Sequence, residues 1–380
     1  MSVPEFPPAT FDLDSDAAEW RAPLPLRPLL DAKPWGGRRL GGLGFALPDA
    51  AEPLGEALIT HGEATAASGP LAGARLADIV AADPAGFVGE RGRGAAGGHD
   101  LFPVLAKFID AAGDLSIQVH PDDDLAREQG EATGKTEAWH VLAADPGAAI
   151  YAGLAEGISP NDFVAAVRAG GDGAAAMLRR VPAVPGTSFV LPAGCVHALG
   201  RGVLIYEIQQ PSNTTYRLYD WDRVDAEGRG RELHLDLGLR ALDPAPRPEP
   251  ISPLPLPTLA GQRDLLAACR AFALERITLM VGDRFWLPAD ESPQVMTCLA
   301  GALRLRGGGE RVTIQAGDSL VIPVGVVCTV DIIMPSVALR GWVPDLARDI
   351  VRPLRAAGAT DEQIAAMAGP LPDVREALAG

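Results

Sequence analysis

The stretch Gly186-Thr187-Ser188-Phe189-Val190-Leu191-Pro192-Ala193-Gly194-Cys195-Val196-His197 returns 131 residues later as Gly317-Asp318-Ser319-Leu320-Val321-Ile322-Pro323-Val324-Gly325-Val326-Val327-Cys328. Gly, Ser, Pro and Gly coincide, and the apolar positions match in type. Each copy reads as a turn, a short buried strand and a Pro-x-Gly turn. A chain that writes this unit twice is constrained to build one β architecture twice, so a duplicated β-barrel is expected. A weaker match sets Glu137–Leu142 against Gln294–Leu299, an offset of 157. The offsets differ by 26, which places an insertion in the first copy between Leu142 and Gly186. Ser159, Pro160 and Asp162 form a helix start there, with Ser as N-cap and Pro in the first turn. Phe163, Val164 and Val167 give that helix an apolar face, and Met177-Leu178 reads as the beginning of a second helix.

Past Trp342 the pattern turns helical. Leu346, Ile350, Val351 and Leu354 have helical spacing, and Thr360-Asp361-Glu362-Gln363 is a capping box. The expected architecture is mainly β. It has a metal-binding unit over residues 1–240 with a helical insertion at about 155–182, a degenerate second unit over 241–343 and a helical extension over 344–380.

Composition narrows the partners. Charged residues make up 22% and hydrophobic ones 47%, an ordinary globular balance. With 33 basic and 49 acidic residues the net charge is −16, which argues against nucleic acid or an anionic membrane as a partner. An anionic substrate would need a local basic pocket. Cys195, Cys269, Cys298 and Cys328 show no CxxC spacing and read as buried thiols rather than disulfides. Met1–Glu5 lacks a basic region followed by an apolar run, and no stretch reaches transmembrane length, so a cytoplasmic protein is expected.

The chemistry concentrates in Gln118, His120, Glu137 and His197. Gln118 and His120 are two apart, so a strand places both on one face, and Lys135 and Glu137 repeat that spacing. Two ring nitrogens, a carboxylate and an amide oxygen suit a divalent transition metal, zinc most of all. In the copy, His197 aligns with Cys328 and Glu137 with Gln294, so the second unit has lost the metal. In Tyr206–Arg223, Glu207 and Gln209 alternate with Tyr206 and Ile208, which turns polar groups inward. Arg217, between Tyr216 and Leu218, needs an anionic partner.

The runs Leu115–Asp124, Gly134–Val141, Leu191–His197 and Tyr206–Arg223 resemble the short bacterial type of class I mannose-6-phosphate isomerases, which are zinc-dependent cupins. Lys33-Pro34-Trp35-Gly36-Gly37 and Ser68-Gly69-Pro70-Leu71-Ala72-Gly73 are similar to that family's N-terminal motif and early turn. The resemblance spans about residue 30 to about 342. It implies two cupin (jelly-roll) barrels and one Zn²⁺ per chain, held by His120, Glu137 and His197 with Gln118 as fourth ligand. It implies Arg217 as catalytic arginine and Glu207 as a carboxylate for proton transfer. Ser116, Lys135 and Arg223 fall where related enzymes contact substrate, phosphate included. The implied reaction interconverts mannose 6-phosphate and fructose 6-phosphate through an enediolate, with Glu207 or Lys135 as proton shuttle. The expected partner is a small sugar phosphate, and the expected assembly a monomer or homodimer. Two departures stand out: Gly55-Glu56-Ala57-Leu58 lacks the family's tryptophan, and His140 replaces an aromatic or aliphatic residue. Another metal-dependent cupin enzyme (an oxygenase or a different sugar-phosphate isomerase) and a non-catalytic sugar-binding cupin are the rival readings.

Overall fold

The two copies of the repeated stretch form the strands Ser188–Leu191 and Ser319–Ile322 in a computed structural model that describes residues 21–47 and 53–380. The reading of Met1–Glu5 lies outside the described residues. Ser188–Leu191 runs antiparallel to Glu137–Ala144, with Leu191 opposite Glu137 and Ser188 opposite His140. Ser319–Ile322 runs antiparallel to Gln294–Gly307, with Ile322 opposite Gln294 and Ser319 opposite Thr297. These are the same pairs under the two sequence offsets. The two weak matches therefore lock into one register, and a one-residue slip would turn every side chain to the wrong face.

The agreement extends outward. Val203–Gln209 and then Leu105–Ala111 follow Glu137–Ala144 in the first ladder. Cys328–Trp342 and then Ala273–Leu279 follow Gln294–Gly307 in the second. The fold is mainly β, and each ladder runs through four strands in the same order.

A third sheet orders Tyr216–Tyr219, Ile117–Val119, His197–Leu199, Ala149–Leu154 and Leu178–Pro182. His197 stands opposite Gln118, and Gln118 stands opposite Arg217. Three short strands thus carry three polar side chains to one place. Leu24–Arg27 pairs with Ser319–Ile322 and with Thr65–Ala66, so the N-terminal chain joins the second ladder's sheet.

The insertion contains the helix Pro160–Ala169, capped by Ser159 accepting from the Asp162 amide, and a single turn, Gly173–Ala176. Met177-Leu178 does not begin a helix. Met177 ends that turn, and Leu178–Pro182 is a strand beside Ala149–Leu154 that buries Leu178 and Val181. Tertiary pairing outweighed a short helical pattern. The C-terminal helices bury Ile350, Leu354, Ile364 and Met367, and the Thr360 capping box forms. They dock on the second ladder's outer strands, where the Ala268 amide donates to the Met367 carbonyl. No helix among the described residues is long and apolar enough to cross a membrane, and all four cysteines are free and buried.

Candidate metal centre

His120, Glu137 and His197 offer ligand atoms that all lie within 4.8 Å of one another, and all three are buried. Each imidazole is oriented from behind. His120 Nδ1 donates to the Thr214 carbonyl at 3.0 Å and His197 Nδ1 to the Cys195 carbonyl at 2.9 Å. That fixes the tautomer, so both Nε2 atoms turn bare lone pairs inward, as metal-ligating histidines do. Burial, with the Lys135 charge beside it, lowers His120 to about 3 and keeps the ring neutral.

Glu137 completes the set. Burial works against its charge, yet the Lys135 ammonium beside it outweighs burial and holds the carboxyl well below the usual range. Its Oε1 lies 3.1 Å from His197 Nε2 but makes no hydrogen bond. A buried carboxylate oxygen without a donor is costly unless something cationic meets it. The donors already attract one cation: Lys135 Nζ donates to Glu137 Oε2 at 2.6 Å and lies 3.0 Å from His120 Nε2. Gln118 Nε2 lies 3.2 Å from His197 Nε2. A cluster of this composition fits a divalent metal.

A cavity of about 410 Å³ opens above this cluster, lined among others by Ser116, Gln118, Lys135, Glu207 and Arg217. Glu207 is fully buried. Burial and then the nearby Glu137 charge raise it to about 7, although Lys107 and Lys135 pull the other way. Its Oε1 lies 3.4 Å from Lys107 Nζ and 3.7 Å from Lys135 Nζ but has no hydrogen-bond partner. Arg217 donates from Nη1 to the Glu232 carbonyl at 2.7 Å, and its Nε is buried without a partner. Burial, and after it the charge of Arg231, lowers its pKa.

Arg223 stands apart from Ser116, Gln118, Lys135, Glu207 and Arg217. It does not line the cavity and is held by Asp220 and by the Asp114 carbonyl. Lining residues that the sequence did not single out include Lys33, Glu56, Lys107 and Arg231. Lys107 links Glu56, at 3.3 Å, to Glu207. The one available signal was two opposite charges, Lys107 and Asp110, inside the otherwise apolar run Leu105–Ala111. Arg231 gave no signal, because it sits in a highly charged loop that reads as solvated.

Residues 24–145 match the family model described as phosphomannose isomerase type I, catalytic domain. A probable mannose-6-phosphate isomerase of Bacillus subtilis is 30% identical over 308 residues, 79% of this chain and 93% of that protein. The mannose-6-phosphate isomerase of Streptococcus mutans is 32% identical over 308 residues, 79% of this chain and 92% of that one. Among solved structures, the Bacillus subtilis mannose 6-phosphate isomerase superimposes with a TM-score of 0.72 at 27% identity, covering 84% of this chain and 99% of that one.

Proposed function

The chain belongs to the mannose-6-phosphate isomerase family, and from that premise we propose that it interconverts mannose 6-phosphate and fructose 6-phosphate with Zn²⁺ held by His120, Glu137 and His197. The observation that carries this reading is two inward-facing imidazole nitrogens and an unsatisfied carboxylate oxygen meeting within 4.8 Å beneath a cavity walled by Glu207. Nitrogen and carboxylate donors suit zinc. Gln118 joins as fourth ligand through its amide oxygen, which a half-turn of the amide brings to the atom position facing His197. When bound, the ion supplies Lewis-acid polarisation of the substrate carbonyl, worth several kcal/mol in a dry site.

The protein's own groups do the rest. Glu207 Oε1 has no competing donor, so it takes the proton from one carbon of the substrate and returns it to the neighbouring one. A carboxyl raised to about 7 is well matched to that exchange near neutral pH. Lys135, already committed to Glu137, instead donates from Nζ to the oxygen on which charge develops. Arg217, opposite Gln118, adds fixed positive charge to the enediolate, and Ser116 contacts the sugar. Trp35, Trp139 and Leu115 on the cavity wall keep water out. The matched ladder registers also support two cupin barrels, the first carrying the insertion and the second the helical extension.

A coupled assay of mannose 6-phosphate conversion tests the reading. Turnover should vanish with a chelator and return with Zn²⁺. Undiminished turnover in metal-stripped protein would remove zinc from the account, and no turnover in zinc-loaded protein would remove the isomerase.

A further inference from the structure

Two arginines, Arg217 and Arg231, line the cavity, and a third, Arg223, stands behind them and shares the Asp220 carboxylate with Arg231. Asp220 accepts from Arg223 Nη2 and from both Nη2 and Nε of Arg231, the last at 2.6 Å. Arg223 is turned into the protein: its Nη1 donates to the Asp114 carbonyl, its Nε is buried without a partner, and it does not line the cavity. Arg231 does line the cavity, and its side-chain bonds among the described residues run from Nε and Nη2 to Asp220, which leaves Nη1 for a ligand. Arg217 lines the same wall and has no carboxylate bonded to it. The cavity's own acids lie elsewhere and are engaged by lysines: Asp31 and Glu56 by Lys33, Glu56 and Glu207 by Lys107. One side of the cavity is therefore balanced, and the guanidinium side is left with uncommitted donors.

The backbone is bent to make this arrangement. Asp220 to Arg223 is a tight turn closed by the Arg223 amide on the Asp220 carbonyl at 3.1 Å. Its central residues, Trp221 and Asp222, have φ of 57° and 53° and are the only non-glycine residues with positive φ among those described. Asn-Gly is the usual occupant of such a turn. Here the fold holds a strained Trp-Asp in place, with Trp221 Nε1 donating to the Leu115 carbonyl at 2.7 Å and Tyr219 Oη to Asp222 at 3.0 Å. Strain maintained this way clusters where side chains must be aimed.

We propose that Arg231 grips the phosphate of the substrate and that Asp220 and Arg223 are positioning residues that hold it there. The assignment rests on the sugar-phosphate reading above and moves the phosphate contact from Arg223 to Arg231. A planar guanidinium anchored on one edge by a carboxylate presents its other edge in a fixed direction, which suits a phosphate dianion.

The test uses the zinc-loaded protein, with KM for mannose 6-phosphate and calorimetric binding of a hexitol 6-phosphate, which keeps the phosphate and cannot isomerise. Arg231→Ala should weaken both about 10- to 100-fold, with the loss falling on KM more than on kcat, and Arg231→Lys should recover part of it. Arg223→Ala should weaken both less, and should add less than about threefold in the Arg231→Ala background, because it acts through Arg231. Hexitol phosphate binding unchanged within about twofold in Arg231→Ala would overturn the proposal, and full additivity of the two substitutions would overturn the positioning role. Thermal melts and metal content identify variants that fail to fold. Absence of turnover in the unsubstituted protein would count against the isomerase alone, since the calorimetric arm still decides the phosphate contact.

Discussion

The two four-strand ladders place opposite kinds of polar core on the same register. In the first, Glu207 stands opposite Lys107, and Gln209 stands opposite Glu137. In the second, Arg340 stands opposite Glu275, and Trp342 stands opposite Gln294. The ion pair is reversed in sign. Its surroundings differ more. Arg340 donates to Gln294 at 2.6 Å and to Glu275 at 3.0 Å and lies 4.3 Å from the Trp342 ring centroid, so the charged groups of the second core satisfy one another. The first leaves Glu137 Oε1 and Glu207 Oε1 without hydrogen bonds, and Leu287 and Cys328 pair at the second where Gln118 and His197 pair in the third sheet beside the first. A buried polar cluster can work on a substrate only if some of its atoms are kept unsatisfied; one that satisfies all of them only holds strands together.

Importing the second ladder's chemistry into the first should have the largest effect. Glu137→Gln copies Gln294, and should lose the metal and about a thousandfold or more of turnover. Elemental analysis and the coupled assay check this, and a variant that keeps both would dissolve the contrast. The converse damage belongs in the second ladder. Arg340→Met strips Gln294 and one oxygen of Glu275 of their donor, while Arg263 still holds the other oxygen. It should cost about 3 kcal/mol in denaturant unfolding and leave metal content unchanged. Arg217→Ala, in the third sheet beside the first ladder, should lower kcat about a hundredfold with full metal retention, which separates chemistry from metal binding.

The smallest effect concerns a pair shared by both ladders. His140 bonds Ser188 at 3.0 Å where Thr297 bonds Ser319 at 2.9 Å. Burial, helped by Arg276, lowers His140 from 6.5 to about 4. The folded state thus binds the proton more weakly than the unfolded chain. The resulting stability is fully present above pH 6.5 and is lost as pH falls towards 4. Between pH 7 and pH 5 that amounts to about 2 kcal/mol. Unfolding in chelator at the two pH values should show this extra loss in the unsubstituted protein and not in His140→Thr.

The cluster of His120, Glu137 and His197 was legible because residues two apart share a strand face, and the echo was legible because both turns repeat their glycines. Lys107 was not, since its partners Glu56 and Glu207 come from strands far away in sequence. Arg231 was hidden among loop charges, because its role depends on Asp220 across a turn whose Trp-Asp centre carries no turn signature. Arg223 matched a motif, and the structure adds what no motif shows: it bonds Asp220 and the Asp114 carbonyl and does not line the cavity.

Anomalous diffraction at the zinc edge on the metal-loaded crystal tests the contrast most directly. One peak is expected per chain, about 2.0–2.3 Å from His120 Nε2, His197 Nε2 and the Glu137 carboxylate, with none beside Gln294 and Cys328. A peak beside Cys328, or none at the histidines in protein that turns over, would contradict it.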